Sequence, residues 1–193
     1  MTAAAIDRLA PDPDGYFLMI EAGRIDHGHH EGKAAYALSE AQELSRAVAT
    51  ALGKVDLTNT LILVTADHSH SFVIAGYPTR GNPILGLAKG NDERGEPTGK
   101  PILAADGQPY TTLGYMNGPG AVMEMPRPAP SEDPQARQQA LVPTGSAKAL
   151  GETHGGEDVP LYATGAGSEH AHGVIEQSRV YDIIMEALGL EAE

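Results

Sequence analysis

Apolar and polar positions follow two different periods along this chain, and these periods predict its elements. Two short continuous apolar runs, Tyr16–Ile20 and Thr60–Thr65, are typical of strands buried on both faces of a parallel sheet. Between them, apolar residues recur at helical spacing and predict a helix over residues 31–55. The strand–helix–strand order predicts a right-handed βαβ unit with parallel strands.

Shorter patterns occupy the two ends of the chain. Ala5, Ile6 and Leu9 share one side of a predicted N-terminal helix. Near the other end, Val159–Thr164 is predicted to be a third short strand. An amphipathic pattern over Ile175–Leu188 then predicts a final helix.

Residues 76–150 differ in composition from the rest of the chain. Glycine and proline are frequent there, charges are scattered, and no long periodic segment occurs. Because the apolar content stays fair, an ordered insertion with short strands or turns, for example near Tyr110–Tyr115, is favoured over disorder. We predict three parts: an α/β core over residues 1–75, the insertion over 76–150, and a return to the core over 151–193.

Composition narrows the classes of function. The net charge of −13 argues against nonspecific binding to nucleic acid or to an anionic membrane, because both need a basic surface. The sequence has no run of about 18 apolar residues, so no membrane span is predicted. Its first residues lack the basic start of a signal peptide. The chain has no cysteine, so any zinc must be held by nitrogen and oxygen ligands.

The eight histidines of the chain are clustered. Two clusters, Glu21–His30 and Thr65–His70, directly follow the apolar runs, and a third, Glu152–Asp158, precedes the last predicted strand. Sites in open α/β sheets form beyond the carboxyl ends of the strands, so the topology is expected to bring the first two clusters together. Imidazole and carboxylate are the zinc ligands available without thiolate, and these clusters therefore predict a metal-dependent enzyme.

The candidate ligands of the first two clusters also have structural explanations. Asp26 and His30 are four residues apart and would share one helical face, either to reach one ion or as polar residues of a solvated helix N-terminus. Glu21 is either a ligand at the sheet edge or a surface carboxylate. Asp67 and His68 follow a buried strand, where a charge and an imidazole are costly unless they are paired or metal-bound.

The remaining histidines are harder to place from the sequence. His154 lies in a glycine-rich loop at the position that the topology requires of a ligand, although a loop histidine alone is weak evidence. His29 and His70 are either neighbours of candidate ligands or exposed side chains. His170 and His172 lie in a polar loop, where a histidine is more often an exposed side chain than a ligand. A serine nucleophile beside His68 is disfavoured, because nothing resembles a nucleophile elbow.

Three motifs in this order resemble the alkaline phosphatase family. They are Phe17–Gly32, Thr65–His70 and Glu152–Asp158, and the likeness runs from about Met1 to Leu190. The middle region resembles the insertion of the eukaryotic-type branch, often called the crown. The resemblance implies the C-terminal part of a three-layer α/β/α fold, with a mainly parallel central sheet and an irregular crown-like insertion.

The resemblance also implies a site with two zinc ions and one magnesium ion that cleaves phosphate monoesters through a covalent phosphoserine. The full-length protein would be a homodimer in the periplasm or secreted. The positions that match the family's motifs imply Asp26, His30 and His154 at the first zinc, Asp67 and His68 at the second, Glu21 at the magnesium, and His27 beside the phosphate and the magnesium.

The chain departs from the family in one large respect. The family's nucleophilic serine, phosphate-binding arginine and further metal ligands belong to its N-terminal half, and no Asp-Ser-Ala motif occurs in these 193 residues. We therefore expect the C-terminal half of an alkaline phosphatase, with Met1 an internal methionine. Two alternatives stay open: a non-catalytic metal-binding domain, and another hydrolase of the superfamily, such as a phosphoglycerate mutase or a sulfatase. The run Arg24–His30 and the crown-like insertion favour alkaline phosphatase.

Overall fold

The structure is a computed structural model, and it describes residues 1–146 and 149–190. The helices are α1 (Thr2–Leu9), α2 (Arg24–His30), α3 (Ala34–Leu52) and α4 (Arg179–Ala187), with a 3₁₀ turn at Ser168–His170. The strands are β1 (Leu61–Val64), β2 (Ser69–His70), β3 (Phe72–Ile74), β4 (Lys89–Asn91), β5 (Pro97–Pro101), β6 (Leu113–Asn117), β7 (Ala140–Val142), β8 (Gly145–Ser146), β9 (Ala149–Leu150), β10 (His154–Gly155) and β11 (Tyr162–Gly165). Among the described residues, no helix is both long enough and apolar enough to cross a membrane.

The chain divides into two compact units. The first comprises Met1–Ile20, Ser45–His68 and the described part of Glu157–Glu193. The second comprises Glu21–Leu44 and the described part of Ser69–Gly156. Each unit combines helix with strand, and β6 and β7 pair in parallel, so the predicted α/β class is confirmed.

The first unit is built on an antiparallel pair of strands. β1 pairs with β11 in a register that joins Leu61 to Gly165 and Val64 to Tyr162. The predicted N-terminal helix is confirmed as α1, and its Ile6 is buried. The strands predicted over 60–65 and 159–164 are confirmed as β1 and β11, and the final helix is shorter than predicted.

The strand predicted over Tyr16–Ile20 is wrong. The segment has no regular secondary structure, and its Phe17 and Met19 are 62% and 75% exposed. A continuous apolar run forms a buried strand only in a sheet whose two faces are both covered by other elements. In the described chain, β1 forms a two-stranded antiparallel sheet with β11, so the parallel βαβ unit expected from this run is not formed.

The helix predicted over residues 31–55 is observed as α3, over the shorter range Ala34–Leu52. α3 begins at Ala34 because Gly32 adopts a left-handed backbone (φ +67°), which ends α2 and separates the two helices. The alanine-rich sequence of α3 has high helix propensity, and its Ala34, Ala35 and Ala37 are buried.

The second unit contains a three-stranded sheet of order β3–β6–β7. β3 runs antiparallel to β6, and β7 runs parallel to it. Leu113, Tyr115 and Ala140 lie in the core of this unit. Near residues 110–115, where short strands or turns were expected, the structure has strand β6, and β4 and β5 form a separate antiparallel pair.

Candidate metal centre

Helix α2 places Asp26 and His30 on one face. They are four residues apart, and Nε2 of His30 lies 3.2 Å from Oδ1 of Asp26, so the shared helical face predicted from their spacing is confirmed. Asp26 lies in the first turn of the helix, where the helix dipole favours a negative charge. The sequence of α2, with a glycine and three histidines in seven residues, has low intrinsic helix propensity. Tertiary contacts must therefore hold this helix in place.

One such contact is the close approach of α2 to α3 at Gly28. Gly28 is buried, and a Cβ atom at this position would lie 2.6 Å from the backbone nitrogen of Ala37 and 2.9 Å from its Cα. Only glycine allows the two backbones to come this close. The packing fixes α2, and with it the side chains of Asp26 and His30.

A short ladder between β2 and β10 supplies two further histidines. Its register places His154 directly opposite His70, with ring centroids 5.4 Å apart. The segment before His154 is held by Asn117 at the end of β6. The side-chain oxygen of Asn117 accepts the Thr153 backbone N–H at 2.9 Å, and its amide nitrogen donates to the Thr153 hydroxyl at 2.8 Å.

These elements bring three candidate ligand atoms into one triangle. Oδ1 of Asp26 lies 3.2 Å from Nε2 of His30 and 3.4 Å from Nε2 of His154. The two histidine Nε2 atoms lie 3.1 Å apart. Ligands bonded to zinc at 2.0–2.1 Å in a tetrahedron would be separated by about 3.3–3.4 Å. The spacing therefore fits a small tetrahedral cation.

Hydrogen bonding decides which way the ring of His30 presents its lone pair. Nδ1 of His30 lies 2.6 Å from the backbone carbonyl oxygen of Glu152, which can only accept a hydrogen bond. Nδ1 therefore carries the proton, and in the neutral ring Nε2 presents a lone pair to the Asp26 carboxylate. A lone pair and a carboxylate at this distance repel each other unless a cation or a proton lies between them, and the donor set therefore suits a metal.

A layer of aromatic side chains lies beside the triangle of Asp26, His30 and His154. The His29 ring lies 4.5 Å from that of His70 and 4.9 Å from that of Phe72, and its Nδ1 is hydrogen-bonded to the Tyr115 hydroxyl at 3.0 Å. Burial, together with the nearby His70, lowers the pKa of His29 to about 4. Burial also raises the pKa of Tyr115 well above its usual range. Both groups are therefore neutral at pH 7.

His29 is expected to contribute to acid destabilisation of the metal-free chain. Its pKa is about 4 in the fold, whereas an unfolded histidine titrates near 6.5, so the unfolded chain binds more protons between these values. Stability should fall as the pH falls from about 6.5 to about 4. His29→Gln, which keeps a polar partner for Tyr115, should flatten this part of the profile in urea unfolding at several pH values. The exposed His172→Gln should leave the profile unchanged, and identical profiles for His29→Gln and the parent chain would contradict this assignment.

The triangle does not include the other predicted site residues. Asp67 and His68 follow β1 in the first unit, with Nε2 of His68 3.4 Å from Oδ2 of Asp67. Glu21 and His27 are exposed. Among the described residues, neither belongs to a group of three side chains with ligand atoms within 4.8 Å of one another.

Several residues beside the triangle were not predicted from the sequence, or were left undecided. His70 lies beside the triangle, with Nε2 3.3 Å from Oδ1 of Asp26. Glu152 is buried against His70, and Tyr115 is buried against His29. The spacing of Glu152 and His154, two residues apart, is typical of side chains on one face of an extended segment and was the available signal. Nothing in the sequence around Tyr115 marks it as part of a site.

Comparison with known proteins shows which family the chain belongs to. The sequence profile described as "Alkaline phosphatase" matches residues 1–190. The chain belongs to the alkaline phosphatase family. The resemblance inferred from its three motifs is therefore confirmed.

Relatives of the alkaline phosphatase family match at substantial identity. The tissue-nonspecific isozyme of Gallus gallus is 43% identical over 185 residues, which cover 93% of this chain and 33% of that protein. The alkaline phosphatase of Gadus morhua is 41% identical over 185 residues, covering 93% of this chain and 35% of the relative. The chain thus spans about a third of the length of these relatives.

Solved structures of the family show the same fold. The alkaline phosphatase of the Antarctic bacterium TAB5 aligns with a TM-score of 0.57 and 21% identity, covering 99% of this chain and 40% of that chain. A TAB5 mutant with magnesium bound in its M3 site aligns with the same TM-score, at 23% identity, and covers 99% of this chain and 41% of that chain.

Proposed function

We propose that this chain provides the zinc-binding part of an alkaline phosphatase that hydrolyses phosphate monoesters. The observation that carries the proposal is the triangle of Asp26, His30 and His154, whose atoms lie 3.1–3.4 Å apart in a member of this family. The proposal also assigns the protein to the periplasm or to secretion, and its full-length form to a homodimer.

We assign the metals as two zinc ions and one magnesium ion. The first zinc is held by Asp26, His30 and His154, and the geometry of these residues supports this assignment. The second zinc is held by Asp67 and His68, whose adjacent carboxylate and imidazole are suitable ligands. Exposed Glu21 offers a carboxylate for magnesium, as the family resemblance implies, and a TAB5 relative is described with magnesium bound. His27 would lie beside the phosphate.

The residues of the first site have separate parts in this chemistry. Bound zinc would supply Lewis acidity that stabilises the attacking and leaving oxygens of an in-line displacement at phosphorus. One carboxylate and two neutral imidazoles leave a dication with a net positive charge. That local charge attracts a phosphate monoester despite the overall charge of −13. The hydrogen bond from Nδ1 of His30 to Glu152 keeps Nε2 of His30 oriented toward the ion.

A second candidate function is metal binding without catalysis by the 193-residue chain. It is favoured by the sequence, which contains the candidate ligands but no Asp-Ser-Ala motif. Under this alternative the chain would bind zinc and leave a phosphate monoester intact. The two candidate functions predict different results when the chain is placed in a protein that supplies the serine nucleophile. The first predicts hydrolysis of a phosphate monoester, and the second predicts zinc binding without hydrolysis.

A chimera tests the proposal. The segment of the Gallus gallus isozyme that this chain matches would be replaced by this chain. We expect zinc-dependent hydrolysis of a chromogenic phosphate monoester by the chimera, and background hydrolysis by the 193-residue chain alone. Asp26→Asn should lower the rate of the chimera by more than the roughly 10–100-fold that loss of an outer hydrogen-bond partner of a metal ligand costs.

Asp182→Asn is the matched control for this chimera. It also converts a carboxylate to an amide, but at a half-exposed side chain that pairs with Arg179 on the surface of α4. Its rate should equal that of the parent chimera. A folded, zinc-loaded chimera without activity would favour metal binding alone, and full activity of the Asp26→Asn chimera would overturn the assignment of this residue.

A further inference from the structure

A buried carboxylate, that of Glu152, lies against His70 and the backbone of Ser71. The side chain of Glu152 is completely buried, and its oxygens face His70 and the backbone of Ser71. We propose that Glu152 is a positioning residue, which uses its carboxylate to hold the proton of His70 on Nδ1 and its backbone to hold that of His30 on Nδ1. The role in catalysis rests on the proposed function, whereas the positions of the protons do not.

The carboxylate of Glu152 accepts hydrogen bonds from two different groups. Oε1 accepts the backbone N–H of Ser71 at 2.5 Å, and Oε2 lies 2.7 Å from Nδ1 of His70. A buried carboxylate is costly unless donors satisfy it, and these two donors do so. Nδ1 of His70 therefore carries a proton, whatever group faces its Nε2.

The hydrogen bonds of Glu152 to His30 come from its backbone, since Oε2 of its side chain lies 3.7 Å from Nδ1 of His30, beyond hydrogen-bond distance. The N–H of Glu152 donates to the carbonyl oxygen of His30 at 3.1 Å, and the carbonyl oxygen of Glu152 accepts from Nδ1 of His30 at 2.6 Å. This reciprocal pair joins the end of α2 to the segment that leads into β10. It would survive any substitution of the Glu152 side chain that leaves the backbone in place.

The carboxylate and the backbone of Glu152 together orient the rings of His70 and His30 toward one atom, Oδ1 of Asp26. Nε2 of His30 lies 3.2 Å from Oδ1 of Asp26, and Nε2 of His70 lies 3.3 Å from it. Both Nε2 atoms face the carboxylate because both Nδ1 atoms are engaged on the opposite side of the ring. One residue therefore controls two imidazoles of the site through different groups.

The Glu152→Gln side chain cannot reproduce the two hydrogen bonds that the carboxylate accepts. Ser71 and His70 both donate, so their partner needs two acceptor oxygens, and an amide has only one. With the amide oxygen on the Ser71 N–H, the amide NH₂ faces His70 and requires Nδ1 to accept. The neutral His70 ring then carries its proton on Nε2, toward Asp26. Aspartate keeps both acceptor oxygens on a shorter side chain.

The test is the tautomeric state of each histidine in the metal-free chain, read from ¹⁵N chemical shifts at about pH 8, above the usual histidine pKa of ~6.5. In the parent chain, Nδ1 of both His70 and His30 should be protonated. In Glu152→Gln the proton of His70 should move to Nε2, while His30 serves as an internal control and stays unchanged. Glu152→Asp should return the proton of His70 to Nδ1.

Zinc affinity, measured by competition with a chelator, is the second readout. We expect a roughly 10–100-fold loss in Glu152→Gln and a smaller loss in Glu152→Asp. The matched control is Asp106→Asn, which removes a carboxylate that accepts two hydrogen bonds from Arg127 in the insertion, far along the chain from the ligands. This control should keep the affinity of the parent chain.

Each outcome of these measurements bears on the proposal. An unprotonated Nδ1 on His70 of the parent chain overturns it, and this result does not depend on the folding of any variant. A folded Glu152→Gln chain with the parent tautomer and parent affinity also overturns it. A parent chain with the expected tautomers that binds no zinc supports the positioning role and counts against the proposed function instead.

Discussion

His154→Ala is expected to abolish tight zinc binding while the fold stays intact. The His154 side chain is 49% exposed, so its removal leaves little buried volume unfilled. Its Nε2, however, forms one corner of the triangle with Asp26 and His30. Loss of a direct ligand should cost more than the roughly 10–100-fold in affinity that an outer partner costs.

Isothermal titration of the metal-free chain with zinc would measure this loss. The control is His172→Ala, which removes an exposed histidine of the first unit and should leave the titration unchanged. Urea unfolding of both metal-free variants should match the parent chain. An unchanged affinity of the first zinc in a folded His154→Ala chain would contradict the triangle as a metal site.

Gly28→Ala should destabilise the chain by about 3 kcal/mol, at the upper end of the usual cost of overpacking. The added methyl group would lie 2.6 Å from a backbone atom of Ala37, and a backbone atom cannot move away as the tip of a side chain can. Relief requires α2 to shift from α3. Because α2 carries Asp26 and His30, zinc affinity should fall together with stability.

Gly156→Ala is the matched control for this substitution. A Cβ atom at Gly156 would meet no atom within 4 Å, and the expected change in unfolding free energy is within about 0.5 kcal/mol. Urea unfolding of the two metal-free variants measures the difference. Equal stabilities of the two variants would show that α2 and α3 do not pack as closely as the structure indicates.

The part of the site that lies on one helix could be predicted from the sequence. The four-residue spacing of Asp26 and His30 implies a shared face wherever the segment is helical, and the structure has this helix. His154 is 124 residues beyond His30, so no local period connects them. The family motifs, rather than a pattern of spacing, led to this prediction.

The remainder of the site depends on contacts that a single sequence does not encode in a readable form. β2 and β10 have two residues each, which is too short for an alternating pattern to identify them as a pair. The burial of Glu152 follows from that pairing and from Ser71. The error at Tyr16–Ile20 has a related cause, because an apolar run indicates that a segment favours burial but not which strands will pair with it.

Strand β6 limits how this metal site could be moved into another protein. It belongs to the second unit, where its Tyr115 is hydrogen-bonded to His29 and its Asn117 to Thr153. A designer who grafted only the three histidine motifs onto a new scaffold would transfer the ligands without the strand that holds their neighbours. A transplanted site therefore needs β6, and also α3, which packs against Gly28, in addition to the three motifs.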